Sequence, residues 1–233
     1  MDASTQQLLI EVLKGRSNSY RMLARLFFKP LSDADLDDLV KADFCARASE
    51  LDGTGLLAEG FNDMGRALRK RHTGTRSQLA TDFTMCFDGM KAIDDLVAVP
   101  YASVFLGTEA LLYQEPRAEV YKLFQAEGVG LKSGIDLPED HLSFELEFIA
   151  LLSDRSAAAL DSADTQEALR NLQLARDFIQ GSILTWLGQL ADRADRILQT
   201  RFYRGALKAT QGYLDMDLET IVGLIEEISE GDE

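Results

Sequence analysis

The chain has 233 residues, 46% of them hydrophobic, only four prolines, and a net charge of −15 from 39 acidic against 24 basic residues. That length and apolar content suffice for a substantial core, and the abundance of Leu, Ala, Glu, Asp, Arg and Gln favours helices. The negative field argues against nucleic acid and anionic lipid as partners and favours a cationic one.

The first stretch, "MDASTQQLLIEVLKGR", lacks the basic start and continuous apolar run of a secretory signal. Between residues 5 and 28, Leu8, Leu9, Val12, Leu13, Tyr20, Leu23, Leu26 and Phe27 recur at helical spacing, and "KPL" stops the run. Ser32 then caps a short acidic helix with Asp35 in its first turn. The period returns over residues 56 to 72 through Leu57, Phe61, Met64 and Leu68, and again from Thr75 through Leu79, Phe83, Cys86 and Phe87. The basic run Arg66, Arg69, Lys70, Arg71 and Arg76 reads as a solvated helix end whose cations suit the C-terminal dipole, with an anion or nucleotide site as the alternative.

Between residues 88 and 115 the period weakens, and "VPYASVFLGTEALLYQEP" reads as a loop around a short helix, a candidate functional segment holding Tyr101 and Phe105. A helix over 117 to 127 ends at "AEGVG", and the glycine-rich connector 128–136 follows. The expected organisation is therefore a single domain, 1–233, with possible lobes 1–127 and 137–233 meeting at that connector. Asp164 and Glu167 open a long helix that Gly181 and Ser182 are placed to kink. Two further helices, in "RFYRGALKATQGYL" and "DLETIVGLIEEI", precede an acidic tail. The fold class is all-α, a compact bundle of about ten helices. No stretch approaches the roughly eighteen uninterrupted apolar residues of a membrane span. Cys45 and Cys86 make no disulfide framework, so the expected location is the cytoplasm.

The segment "PEDHLSFELEF" alternates polar and apolar residues as a strand would, but Ile149, Ala150, Leu151 and Leu152 break that alternation. As a helix, Asp136 serves as N-cap, Glu139 follows three residues on, and Pro138 falls in the first turn. Ser143, Glu147 and Asp154 then form a narrow polar stripe, while His141 and Glu145, four residues apart, project into the apolar face. The pair is either a buried structural contact or, with Asp140, the wall of a cleft beside the connector. An acid–base pair in a small-molecule or nucleotide-binding helical enzyme is the alternative from another class.

Other chemistry is poorly served. Cys45, His72, Cys86 and His141 match no compact zinc spacing, and no Glu precedes either histidine by three as a di-iron bundle requires. "GVGLKSG" is not a phosphate-binding loop, and no nucleophile elbow is present. The expectation is therefore no metal, no cofactor and no catalysis. Trp186, the single tryptophan, is expected to pack in the core with its indole N–H bonded at an edge.

Four segments, "PYASVFLG" at 100–107, "LPEDHLSFELEFIALL" at 137–152, "FIQGSILTW" at 178–186 and "FYRGALKAT" at 202–210, together resemble the TorD/DmsD/NarJ family of molybdoenzyme chaperones. The resemblance covers about the C-terminal two thirds of the chain, with the Pro-Glu-Asp-His block its most specific part. It implies a TorD-like fold and a non-enzymatic cytoplasmic chaperone. The implied partners are the catalytic subunit of a molybdopterin oxidoreductase and its N-terminal twin-arginine signal peptide, with cofactor insertion proofread before export. A variant of the reading serves a membrane-attached client that is not exported. By resemblance Pro138, Asp140 and His141 are binding-motif positions, Tyr101 and Phe105 belong to the aromatic segment, and Trp186 is the helix tryptophan; Glu145 joins them from its place beside His141. The chain departs from the family where Ser182 and Ile183 replace a frequent His-Leu pair. Monomer and domain-swapped dimer are both compatible with the connector.

Overall fold

The computed structural model describes residues 2–51, 54–89, 97–109 and 111–231. Among the described residues regular structure is helical, and the one strand-like pairing is an isolated bridge between Tyr101 and His141. In chain order the helices are α1 (Ala3–Phe28), α2 (Asp33–Lys41), α3 (Phe44–Glu50), α4 (Gly55–Arg69), α5 (Thr75–Cys86), α6 (Ala102–Leu106), α7 (Glu115–Ala126), α8 (Leu142–Asp161), α9 (Thr165–Phe178), α10 (Leu184–Ile197) and α11 (Arg201–Glu230). A π-helical segment, Ile179–Ile183, joins α9 to α10.

Local chemistry explains most boundaries. The Asp2 carboxylate caps α1 by accepting from the N–H groups of Ser4 and Thr5 at 2.8 and 2.9 Å. Ser32 and Asp35 close a reciprocal capping box on α2. The Asp164 carboxylate takes the Glu167 N–H at 3.1 Å to start α9. The basic end of α4, the loop beyond it and the first turn of α5 lie on the acidic α2–α3 region, through Arg69–Asp43 at 3.2 Å, Arg71–Asp37 at 2.8 Å and Arg76–Asp33 at 3.3 Å.

Three boundaries differ from those read in the sequence. The short α3, capped by Asp43, escapes a search for long periodic runs. Helix α8 starts at Leu142 instead of near Pro138, and its N-cap is His141 instead of Asp136, because the backbone of 140–142 is hydrogen-bonded to another segment. The two last helices are one, the 30-residue α11. Gly212 lets it continue across α4: a Cβ there would lie 2.2 Å from the Leu57 nitrogen, so the two backbones are in direct contact. The expected kink at Gly181 and Ser182 is the π-helical segment.

Helix α1 packs along α8, α4 along α11, and α9 against both α8 and α11. The polar stripe of α8 faces α1, where Arg21 pairs with Asp154 and lies 3.9 Å from Glu147. One continuous apolar core includes Leu13, Phe27, Met64, Phe83, Leu146, Ile149, Trp186, Phe202 and Ile221. It also encloses an ion pair. Arg16 Nε and Nη2 donate to Asp217 Oδ1 and Oδ2 at 2.6 and 2.7 Å, Arg16 Nη1 donates to Ser153 Oγ at 3.1 Å, and the Tyr20 hydroxyl donates to Asp217 Oδ2 at 2.6 Å. This two-pronged pair is buried and ties α1, α8 and α11 together.

Because removing one partner strands a charge, Asp217→Ala is expected to lower the unfolding free energy by about 3–5 kcal/mol in urea titrations. Arg16→Met with Asp217→Leu is expected to recover much of that loss. A cost for Asp217→Ala below about 1 kcal/mol, the scale of a surface pair, would contradict the role given to this contact.

Candidate functional site

The site grows from two stretches that lack helical hydrogen bonds of their own. Leu142 N–H donates to the Pro100 carbonyl at 2.8 Å, and Ala102 N–H donates to the Asp140 carbonyl at 3.0 Å. These bonds flank the Tyr101–His141 bridge. They also free the first turns of α6 and α8 to be capped by side chains. Helix α6 has no cap of its own, and Asp140 Oδ2 provides one by accepting the Ser103 N–H at 2.8 Å. His141 caps the helix it precedes: Nδ1 accepts the Ser143 N–H at 3.1 Å, which assigns the proton of the neutral ring to Nε2. Pro138 is buried in the turn before, its carbonyl accepting the His141 N–H at 3.3 Å.

Burial fixes the charges. The His141 imidazole, 4% exposed, is pushed down to about 3 by desolvation. One turn along α8, the fully buried Glu145 carboxyl is pushed well above its ordinary range, first by desolvation and then by the charge of Asp140. Ser182 Oγ donates to Glu145 Oε1 at 3.2 Å. Asp140 is likewise raised by desolvation, which outweighs the hydrogen bonds it accepts. Ser103 Oγ and the Trp186 indole N–H act on these carboxyls in the opposite sense without reaching hydrogen-bond geometry. They leave Asp140 Oδ1, Glu145 Oε2, Ser103 Oγ and Trp186 Nε1 as buried polar atoms without a partner among the described residues. The edge hydrogen bond expected for Trp186 is thus not formed.

Aromatic rings close the cluster. Tyr101 meets His141 edge-on at 4.8 Å, and Phe105 stacks on Trp186 at 5.5 Å with 22° between the planes. The Arg193 guanidinium lies over the Phe105 ring at 4.6 Å. The π-helical segment sets the register that brings Ser182 to Glu145. The structure thus gathers Tyr101, Phe105, Pro138, Asp140, His141, Glu145 and Trp186 into one cluster, and all seven are buried.

Sequence reasoning missed Ser103, Ser182, Arg117 and Arg193 as members. Arg193 was findable, seven residues after Trp186 and so on the same face of α10. Arg117, which pairs with Glu139 at 2.7 Å, and Ser103 depend on long-range contacts that no local pattern encodes.

Acid–base chemistry does not fit. His141 Nδ1 is committed to a backbone N–H, no side-chain hydrogen bond joins His141 to Glu145, and burial shifts both toward their neutral forms. Cys86, raised to about 12 by burial, is a poor nucleophile. Among the described residues no group of His, Cys, Asp and Glu is arranged to hold a metal ion, and no helix is long and apolar enough to cross a membrane. Beside the first turns of α8, Phe28, Phe124, Leu131, Ile135, Phe144 and Phe148 line a groove of about 470 Å³ whose charged rim is Arg21, Arg25, Lys132 and Glu147, and Phe144 meets the His141 ring at 5.4 Å.

Residues 54–192 match the family model described as nitrate reductase delta subunit. The chain is 30% identical over 212 residues to the chaperone protein TorD of Vibrio cholerae serotype O1, covering 91% of this chain and 94% of that protein. It is 27% identical to the chaperone protein TorD of Vibrio parahaemolyticus serotype O3:K6, covering 89% of this chain and 95% of that one. A crystal structure described as a putative redox enzyme maturation protein from Archaeoglobus fulgidus aligns with a TM-score of 0.38 at 17% identity, over 70% of this chain and 90% of that chain.

A carboxyl whose folded pKa is raised contributes its stability below the unfolded value, near 4.5 for Glu145, and loses it as pH rises through the folded value. Glu145→Gln, which mimics the protonated acid, is therefore expected to gain stability relative to the unsubstituted protein as pH rises above that point. Thermal melts from pH 4 to pH 8 check this. A difference in Tm that stays constant with pH would contradict the buried, protonated assignment.

Proposed function

The chain belongs to the TorD/NarJ family of redox-enzyme maturation chaperones, and on that premise we propose that it acts in the cytoplasm on the apo catalytic subunit of a molybdopterin-dependent oxidoreductase. In this reading it holds the subunit's twin-arginine signal peptide until the cofactor is in place. The family is one of chaperones and not of enzymes, in keeping with a cluster that has no free acid–base pair.

The observation that carries the reading is the convergence of Tyr101, Phe105, Pro138, Asp140, His141, Glu145 and Trp186, drawn from three distant parts of the chain, on one buried cluster. Their part in peptide binding is to fix the backbone of residues 100–107 and the start of α8, so that the side chains facing outward from these stretches form a preorganised surface. The net charge of −15 draws a cationic segment toward that surface. Ordering a flexible peptide costs free energy, which suits a contact that must be released. The whole chain, 1–233, works as one domain in this proposal, since α1 lies on α8 and α4 on α11 across the connector 128–136.

Calorimetric titration of the purified protein with the client's signal peptide tests the proposal. Saturable binding is expected, weakened in an Asp140→Ala, His141→Ala variant that loses both caps. Emission of the buried Trp186, the only tryptophan, verifies that the variant keeps its fold. Absence of binding overturns the reading, and binding unchanged in a folded variant removes the cluster from it.

A further inference from the structure

Eleven large apolar side chains are exposed among the described residues, and five of them, Leu106, Leu111, Leu112, Tyr113 and Tyr121, lie between the end of α6 and the middle of α7. That stretch is held by contacts of its own. Gln114 closes the intervening loop: its Oε1 accepts the Thr108 N–H at 3.0 Å and its Nε2 donates to the Leu111 carbonyl at 3.0 Å. Gly107 permits this, because a Cβ there would lie 2.4 Å from Gln114 Oε1. The Arg117 guanidinium lies against both tyrosine rings, 5.3 Å from the centroid of Tyr113 and 5.5 Å from that of Tyr121, and its charge is met by Glu139 at 2.7 Å. Through Glu139 the surface is tied to the Pro-Glu-Asp-His block.

Tyr113 carries a second sign of use. Its φ of 62° is in the left-handed region, yet its side chain is 61% exposed, so no buried contact offsets the strain. Such a conformation is unfavourable for an L-residue with a bulky side chain.

Charge identifies the occupant. The carboxylates of Glu109, Glu115 and Glu119 are exposed around these side chains and have no cationic partner among the described residues. Two copies of this face would oppose like charges, and an anionic membrane would be repelled. The groove beside α8 is the competing apolar site, but three of the four charges on its rim are positive.

We propose that the face formed by Leu106, Leu111, Leu112, Tyr113 and Tyr121 docks the apolar stretch of the client's signal peptide, with the cations that precede that stretch meeting Glu109, Glu115 and Glu119. This rests on the chaperone reading above and adds the contact surface to it.

The test titrates the client's signal peptide against the unsubstituted protein, Leu111→Ser with Tyr113→Ser, and Glu109→Lys with Glu119→Lys. All four positions are exposed, so the fold is retained. The apolar pair of substitutions is expected to weaken binding about tenfold or more. The charge reversal is expected to weaken it severalfold at low salt, with the difference shrinking as salt rises. If the peptide binds the unsubstituted protein and the apolar variant equally well, the assignment of this face is overturned while the chaperone reading stands. If the unsubstituted protein does not bind, both fall. If the apolar variant abolishes a concentration-dependent dimer in sedimentation and leaves peptide affinity unchanged, the face serves self-association and the assignment is overturned.

Discussion

Two segments that lead into helices, 100–102 and 140–142, have backbone groups to satisfy inside the protein, and they do so on each other. Much of the site's geometry follows from that constraint. Pairing ends α8 at Leu142 instead of letting it run back through Pro138, which leaves His141 free to cap it. The same pairing carries Asp140 to the uncapped start of α6, and α6 in turn places Phe105 on Trp186. A short helix of five residues has little stability of its own; here its first turn is held by a carboxylate from 37 positions away.

The interior treats charge in two ways. Arg16 and Asp217 are both buried, and two short hydrogen bonds, with Tyr20 and Ser153 attached, compensate their desolvation. Asp140, His141 and Glu145 have no such counter-ion. Burial instead pushes His141 and Glu145 toward neutrality, the imidazole down and the glutamic acid up from their ordinary ranges. Four partnerless polar atoms in the cluster mark it as costly to stability, which is common where a sequence serves function ahead of packing.

The helices with strong periodicity and recognisable ends were legible in the sequence: α1 with its stop at Lys29–Pro30, α2 with its capping box, and α9 from Asp164. The break at Gly181 and Ser182 was legible as a position, though not as a π-helical register. The start of α8 was misplaced because Asp136 and Pro138 satisfy every local rule for a helix start, while the bonds that override them come from residues 40 positions earlier. Likewise α11 reads as two helices until its close approach to α4 at Gly212 is seen. The seven residues of the cluster were nameable as candidates from type and resemblance, and the burial of His141 and Glu145 from the apolar face they share. Their complete burial, and the roles of Ser103 and Arg117, are properties of the assembled fold alone.

In the function proposed above, the buried cluster holds position and the exposed, acid-flanked apolar side chains make contact. Amide hydrogen exchange, with and without the client's signal peptide, tests that division most directly. The account predicts that the amides of Ala102, Ser103 and Leu142, whose bonds form the clasp, stay as protected as the core in both states, while residues 106–121 gain protection on binding. Loss of protection at Ala102, Ser103 and Leu142 when the peptide binds would mean that the peptide enters the cluster itself, and would contradict it.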